Sequence, residues 1–514
     1  HECSSAASDV YKRQLLEFTG DAKGGFTPVI GEGLQRVAFA NSGVLGVIGL
    51  TLDNIELRPA LVIDPAEYAN IPQALVYFDV GLLFVDIRIK NCRTFTSDTA
   101  VYIGGNDYLD TTVLVAHDMV IEDNWFTGTW DPQYNSVANY RDVTNSFTVH
   151  LKGTRGDASF PTVNDKPEPF GGIVLAGMVQ QHIQVHRNQI QNFAGYGIFG
   201  VTLVHSSISK NFIVACGDYG ISLGCPWAYA AAGSMVVDTT VRDNHIKLVS
   251  SLDLAAAVDG RRFQYDMGVG VADHPGNPTS SKKVIYLEGQ RGSNFNISNL
   301  ITGNAGTIDL ASSVSERDAL VSFYQIKGSV ISENKAEYLP VNNEFVGGGG
   351  IHLEWDCDSV TVANNFCGYS VLLTDTDTAN NLIIRDNFFS TAAVFASRSL
   401  IQGNVFVNQF PVTVGRDCIF DSNFSMQGSS SQTLSTFEEG CSITNNISVG
   451  SAVGFIGIQT DTLVSGNRLF HAVDLDLPSA GDGADSVERL VITNNDLVSI
   501  CLLYTSDAAD EHSW

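Results

Sequence analysis

The sequence predicts an all-β fold, a single-stranded right-handed parallel β-helix solenoid with an asparagine ladder, from three observations. An asparagine slot recurs thirteen times, at Asn124, Asn188, Asn211, Asn244, Asn304, Asn334, Asn365, Asn387, Asn404, Asn423, Asn446, Asn467 and Asn495. Between Asn365 and Asn467 its steps are 22, 17, 19, 23 and 21 residues, shorter than ankyrin or helix-pair repeats. Inside the steps apolar residues recur every second position and never at a 3.6-residue period, which is the signature of strands.

The unit is seen in Met119-Val120-Ile121-Glu122-Asp123-Asn124 and in Leu382-Ile383-Ile384-Arg385-Asp386-Asn387. A second strand follows each asparagine, often opened by glycine: Gly197-Ile198-Phe199, Gly220-Ile221-Ser222-Leu223, Gly268-Val269-Gly270-Val271, Thr307-Ile308-Asp309-Leu310 and Gly350-Ile351-His352-Leu353. Each repeat thus offers two or three short strands and two corners. Asparagine suits a corner because it tolerates the left-handed backbone conformation and its amide can bond the amides above and below. Coils stacked about 4.8 Å apart align these amides into an inner ladder and the aliphatic residues into columns. A sandwich or propeller needs serial two-residue hairpins or blades of about 40 residues, and the repeat offers neither.

Tyr196-Gly197-Ile198 through Leu223 resembles the right-handed β-helix repeats of pectate-lyase-like proteins and of the carbohydrate-binding and sugar-hydrolase repeat family, whose Gly-Ile-x-Leu strand is followed by an Asn-bearing strand. The resemblance spans roughly Leu82 to Leu497 and implies the fold more strongly than any activity, because the repeat residues are the buried ones. Of the elements of polygalacturonase-like enzymes only Arg88-Ile89-Lys90 is present, alone and near the wrong end. Asp273-His274-Pro275 has the wrong order for the Asp-Pro-His element of alginate epimerases.

Residues 1–14 and 501–514 read as scars of a sequencing-library adapter, since Ser4 to Gln14 back-translates to a string whose reverse complement, in another frame, yields Cys501 to Glu511. Residues 15–81 are expected to form an N-terminal cap and the first coils. Residues 82–500 form the β-helix, with loop insertions near 128–171, 249–266 and 273–299. No matching C-terminal cap is evident in the pattern.

The chain carries 29 Lys+Arg against 56 Asp+Glu, a net charge of −27, which repels phosphate backbones and anionic lipid and argues against nucleic acid or membrane partners. No apolar run approaches the roughly 18 residues of a membrane span. The cysteines show no CxxC spacing, so neither a zinc site nor a full disulfide framework is indicated. Buried thiols are expected, with Cys216–Cys225 or Cys357–Cys367 as the alternative pairings.

Function must then lie on the outer surface. Alternation in the Gly-Ile-x-Leu strands predicts an outward column Phe199, Ser222, Gly270, Asp309, His352, Leu372, Phe395 and Thr413, with Glu354 in the next column. Asp309, His352 and Glu354 are therefore the candidate catalytic residues. Two carboxylates about 8 Å apart at their backbones fit an acid and a base on either side of a glycosidic bond. Asp273, His274, Arg261, Arg262, Tyr265, Trp355 and Asp356 are candidate substrate-binding residues, the rings offering flat faces to sugars. No metal ligand and no cofactor is assigned. Calcium through Asp273, Asp375 or Asp377 is the candidate ion, although Asp375-Thr376-Asp377 reads as a solvated turn. A lyase would instead use His352 or His274 as base and Arg261 or Arg262 to hold the developing negative charge. The expected partner is a polysaccharide, acidic in one version, cleaved by hydrolysis or β-elimination at an extracellular, virion or cell surface. The competing reading is a non-catalytic glycan-binding fibre, adhesin or tail-spike-like protein, which a homotrimer would suit.

Overall fold

A computed structural model of the chain describes its strands and the corners joining them between residues 17 and 498. The longer stretches outside the described residues are 1–16, 30–36, 58–73, 104–114, 129–170, 225–234, 250–282, 289–295, 310–318, 340–347, 427–433, 477–486 and 499–514.

The early coils have four sides. One turn runs through Val115–His117 on the first side, Val120–Glu122 on the second, Trp125–Gly128 on the third and Gly171–Leu175 on the fourth. Same-side strands of successive coils pair in parallel: Val120–Glu122 lies between Arg88–Lys90 and Gln184–His186. The second side is an unbroken ladder of 15 strands, from Thr51–Asp53 to Val491–Thr493. Among the described residues the one antiparallel pairing joins Glu17–Gly20 to Phe26–Val29 in the N-terminal segment, whose other strands already belong to coils. The first side is an eight-stranded sheet that ends at Ile326–Lys327. Beyond it the coils shorten, and Phe366–Asn380 and Phe388–Ser397 run as continuous strands from the third side into the fourth. The chain is thus an all-β parallel β-helix, as the repeat predicts.

Two left-handed residues bracket every second-side strand, for example Asp118 (φ 55) and Asp123 (φ 56), or Asn381 (φ 55) and Asp386 (φ 56). The sequence reading gave this conformation to the ladder asparagine; the structure gives it to the residue just before. Asp123, Arg187 and Asp386 turn the corner with exposed side chains, and Asn124, Asn188 and Asn387 after them point inward and are buried. A side chain that must reach the coils above and below has to leave the corner itself to its neighbour.

All thirteen asparagines join one ladder. Asn365 Nδ2 donates to Asn387 Oδ1 at 2.9 Å, and Asn387 Nδ2 donates to Asn404 Oδ1 at 2.9 Å. The second hydrogen of Asn387 Nδ2 goes to the Val362 carbonyl at 2.9 Å, and Asn387 Oδ1 also accepts the Asn365 main-chain N–H at 2.9 Å. Each interior amide is thereby satisfied at four points, which removes the penalty of burying a polar group. Around the ladder, the central second-side residues Ile89, Ile121, Val185, Ile208, Ile331, Val362 and Ile384 are buried in one continuous aliphatic column.

The glycines that open the fourth-side strands have a packing cause. A Cβ on Gly197 would lie 2.5 Å from Ile213 Cγ2 and 2.6 Å from the Gly220 carbonyl oxygen, so only glycine lets the third and fourth sides close at that bend. Among the described residues five cysteines are free and buried, namely Cys92, Cys357, Cys367, Cys418 and Cys441. The alternative Cys357–Cys367 bridge is therefore not formed; Cys225 lies outside the described residues. Burial pushes the Cys92 and Cys367 thiols well above the ordinary cysteine range.

The stretch expected as a loop at 273–299 is in part regular structure. Lys283–Glu288 is a fourth-side strand between Ile221–Gly224 and Ala319–Tyr324, and Asn296–Ile297 belongs to the first side. The Arg88-Ile89-Lys90 triplet is a second-side strand with Ile89 in the core and Lys90 paired to Asp53 at 3.3 Å.

Candidate functional site

The fourth-side register fixes the row of backbone positions to which the expected column of acid and base corresponds. It runs Tyr102, Val174, Phe199, Ser222, Tyr286, Ser322, His352, Leu373, Ala393 and Thr413. His352 keeps its expected place. Asp309 does not: it ends the third-side strand Ala305–Asp309, opposite Val249 and Leu339, and Ser322 occupies the position below His352. The expected pairing of Asp309 and His352 in one column, with the separation derived from it, is therefore withdrawn. Leu373 and Ala393 likewise replace Leu372 and Phe395 in the column.

Glu354 lies two residues beyond His352 on the same strand, opposite Tyr324. Asp356 begins the next corner with φ 29. Asp375 and Asp377 sit within the strand Phe366–Asn380, not in a turn. Trp355, Arg261, Arg262, Tyr265, Asp273 and His274 lie outside the described residues. Below His352 the outward face is covered: Tyr102, Val174, Phe199, Ser222 and Tyr286 are all buried although they point away from the barrel. Tyr196, Phe199 and Tyr219 pack together there, and Tyr219 continues the contact to Tyr286 with ring centroids 5.2 Å apart. His352, two coils beyond Tyr286 in the same row, is half-buried.

A second feature escaped the sequence reading. The residue after each ladder asparagine points outward on the third side, and the register lines these residues up as Arg93, Trp125, Gln189, Phe212, His245, Ala305, Lys335, Phe366, Phe388, Val405, Phe424 and Ile447. Three of the large rings are exposed: Trp125 at 40%, Phe212 at 46% and Phe366 at 45%. Phe212 stacks on His245 with centroids 5.2 Å apart, Phe366 stacks on Phe388 at 4.7 Å, and the Arg93 guanidinium lies 5.8 Å from the Trp125 ring centroid. The signal was in the sequence, as an aromatic directly after Asn124, Asn211, Asn365, Asn387 and Asn423, but only the register makes it one stripe.

Beside Phe212 the charge is locally positive. Arg187, Lys210 and Arg242 act on His186, which burial first and Arg187 next hold below the ordinary imidazole range. Arg187 is anchored to Asp123 by bonds of 2.8 and 2.7 Å and to Glu122 at 2.7 Å, so its guanidinium stays protonated while it lowers the Asp123 carboxyl. Among the described residues one group has donors close enough to hold a metal ion, His117, Asp118 and His182, where no metal ligand was expected. Its members are 65 residues apart in sequence at the extremes, so no spacing motif betrays them.

No protein-family model and no curated protein matches the chain. Solved structures align with it at low similarity. The surface adhesin PfbA of Streptococcus pneumoniae is 7% identical, over 87% of this chain and 81% of that one, with a TM-score of 0.37. The tailspike protein of E. coli bacteriophage HK620, in complex with a pentasaccharide, is 9% identical over 87% and 72%, with a TM-score of 0.30. The catalytic unit of a thermostable α-1,3-glucanase from Streptomyces thermodiastaticus is 10% identical over 89% and 65%, with a TM-score of 0.31. At these values the likeness carries no weight for function. The chain's own parallel ladders and amide spine define it as a parallel β-helix protein.

Proposed function

We propose that the chain binds an extended, acidic polysaccharide along its third side, at an extracellular, virion or cell surface. The observation that supports this is the stripe of exposed rings on a rigid ladder. Flat aromatic faces take the apolar faces of sugar rings, and a fixed scaffold presents them without the entropy cost of ordering loops. At about 4.8 Å per coil, Trp125 and Phe212 stand about 10 Å apart and Phe212 and Phe366 about 19 Å, a spacing suited to a chain and not to a single sugar. Arg93 and Lys335 stand in the stripe, with Lys210 at the corner before Phe212 and Arg242 on the adjoining second side, and these cations favour carboxylated or sulfated sugars in a chain that is otherwise strongly acidic.

The test is affinity electrophoresis of the full chain in gels containing neutral or acidic polysaccharides. Retardation by an acidic polysaccharide, reduced about tenfold in apparent affinity by combined Trp125→Ala, Phe212→Ala and Phe366→Ala, is expected. Equal retardation of that variant would reject the stripe as the site.

Cleavage is the second reading, favoured by the half-buried His352 with Glu354 two residues along the same fourth-side strand. In it His352 is the base and Glu354 the acid, and Asp309, on the third side of the preceding coil, is tested beside them. Reducing-end and unsaturated-uronate assays on bound polysaccharides, with His352→Ala, Glu354→Gln and Asp309→Asn, test it. Activity unchanged in all three variants would remove this assignment while leaving binding intact.

A further inference from the structure

The corner between the first and second sides carries a column in which Asp86, Asp118, His182, His205 and Asp238 follow one another on consecutive coils, each at the left-handed position. Within it His117 Nδ1 lies 2.7 Å from Asp118 Oδ2, and His182 Nδ1, one coil on, lies 3.2 Å from Asp118 Oδ1. Two imidazoles thus converge from different coils on the two oxygens of a single carboxylate. Their rings meet edge-on with centroids 5.0 Å apart, and all three donor groups fall within 4.8 Å of one another. His205 continues the column 5.8 Å from His182 and is itself 3.3 Å from Asp238.

We propose that His117, Asp118 and His182 form a surface site for a divalent transition metal, of the zinc, nickel or copper type, which clips two adjacent coils together. One carboxylate would need only one imidazole to satisfy a corner; two, each presenting Nδ1 to a different oxygen, make a three-ligand half-shell. Tetrahedral ligands about 2.0–2.2 Å from zinc stand about 3.3 Å from each other, close to the separations present. A metal would replace the contacts between each Nδ1 and the carboxylate, each neutral ring carrying its proton on Nε2, and water would fill the open solvent side. Imidazole donors select against calcium and magnesium, which take oxygen. The donors are half-exposed, with side-chain accessibilities of 34%, 53% and 47%, so an ion can enter without opening the coil.

Titration calorimetry of the full chain with Zn²⁺ alone, in a non-chelating buffer, tests this. One equivalent is expected to bind, with a matching rise in thermal midpoint and no response to Ca²⁺. Asp118→Asn and His182→Asn keep a residue that tolerates the left-handed corner, so both should fold. Each should weaken zinc binding at least tenfold, since loss of a group merely supporting a ligand already costs about 10–100-fold. Asp86→Asn, which removes an acid from the same column one coil away, should leave binding unchanged. Zinc affinity equal in His182→Asn and the parent chain, or Asp86→Asn weakening it as much as Asp118→Asn, would overturn the proposal.

Discussion

Replacing Asn387 by alanine should be among the most damaging single changes in the chain. Its side chain accepts from the main-chain N–H and the Nδ2 of Asn365 and donates to Asn404 Oδ1 and the Val362 carbonyl, all at 2.9 Å and all buried. Alanine removes the acceptor of the Asn365 N–H and of one Asn365 amide hydrogen, in a slot walled by aliphatic side chains, while the Val362 carbonyl keeps its place in the strand ladder. An orphaned buried polar group costs about 1–3 kcal/mol, and partial relief by an entering water lowers the sum for the two to about 2–4 kcal/mol. Because a solenoid unravels in parts, the change should be read locally. Hydrogen exchange of the coils between residues 362 and 407 should accelerate by about one to three orders of magnitude, at about 1.4 kcal/mol per tenfold. The coils around Val185 and Ile208 should be unaffected. Asn495→Ala, at a ladder member only partly buried, should cost about 1 kcal/mol. Equal effects at Asn387 and Asn495, or a loss below about 1 kcal/mol at Asn387, would refute the claim that the amide ladder fastens the coils.

Other outcomes follow from the same coordinates. Arg398 turns its corner at φ 53, so Arg398→Gly should be neutral or stabilising by a few tenths of a kcal/mol, whereas Gly403→Ala should cost about 1–2 kcal/mol, because alanine is strained at φ 65 and its Cβ would meet Asp386 Oδ1 at 2.7 Å; urea melts compare them. Thiol reagents should leave Cys367 and Cys92 unmodified in the folded chain and label both after unfolding, since burial disfavours the reactive thiolate. Stability should fall with acid in two stages. His186 binds its proton less readily folded than unfolded, so stability is lost as pH drops below its unfolded value of about 6.5. Asp123, held low by its bond from Arg187, and Asp53, held low by its bond from Asn91, stabilise above the unfolded carboxyl value of about 4 and lose that contribution as pH falls through their lower folded values. Thermal melts from pH 8 to pH 3 would check both stages; unchanged His186→Gln behaviour between pH 7 and pH 5 would contradict the first.

The fold was legible because its spine is chemically singular. A buried asparagine cannot be exchanged for an aliphatic residue without orphaning its neighbours, so all thirteen slots stand out and all thirteen join the ladder. The fourth side was harder to read because its distance from the asparagine varies. Thr307-Ile308-Asp309-Leu310 has the look of a fourth-side strand, yet Thr307 and Ile308 pair with Lys247 and Leu248 on the third. The strand that does occupy the fourth side, Ala319–Tyr324, opens without glycine. That slip moved Asp309 next to His352. The His117–Asp118–His182 cluster was invisible for the complementary reason: an insertion separates its members in sequence, and only stacking unites them.

The amide spine also has a direction. In every link Nδ2 points to the following coil and Oδ1 to the preceding one, and the main-chain N–H of each preceding ladder asparagine forbids the flipped orientation by donating to that same oxygen. Thirteen side-chain dipoles therefore align head to tail in a dry interior, each polarising the next. The solenoid acquires an electrical polarity along its axis, positive toward Asn495, much as aligned peptide units give one to an α-helix. A carboxylate placed over that end would be held by the same attraction that draws anions to a helix N-terminus.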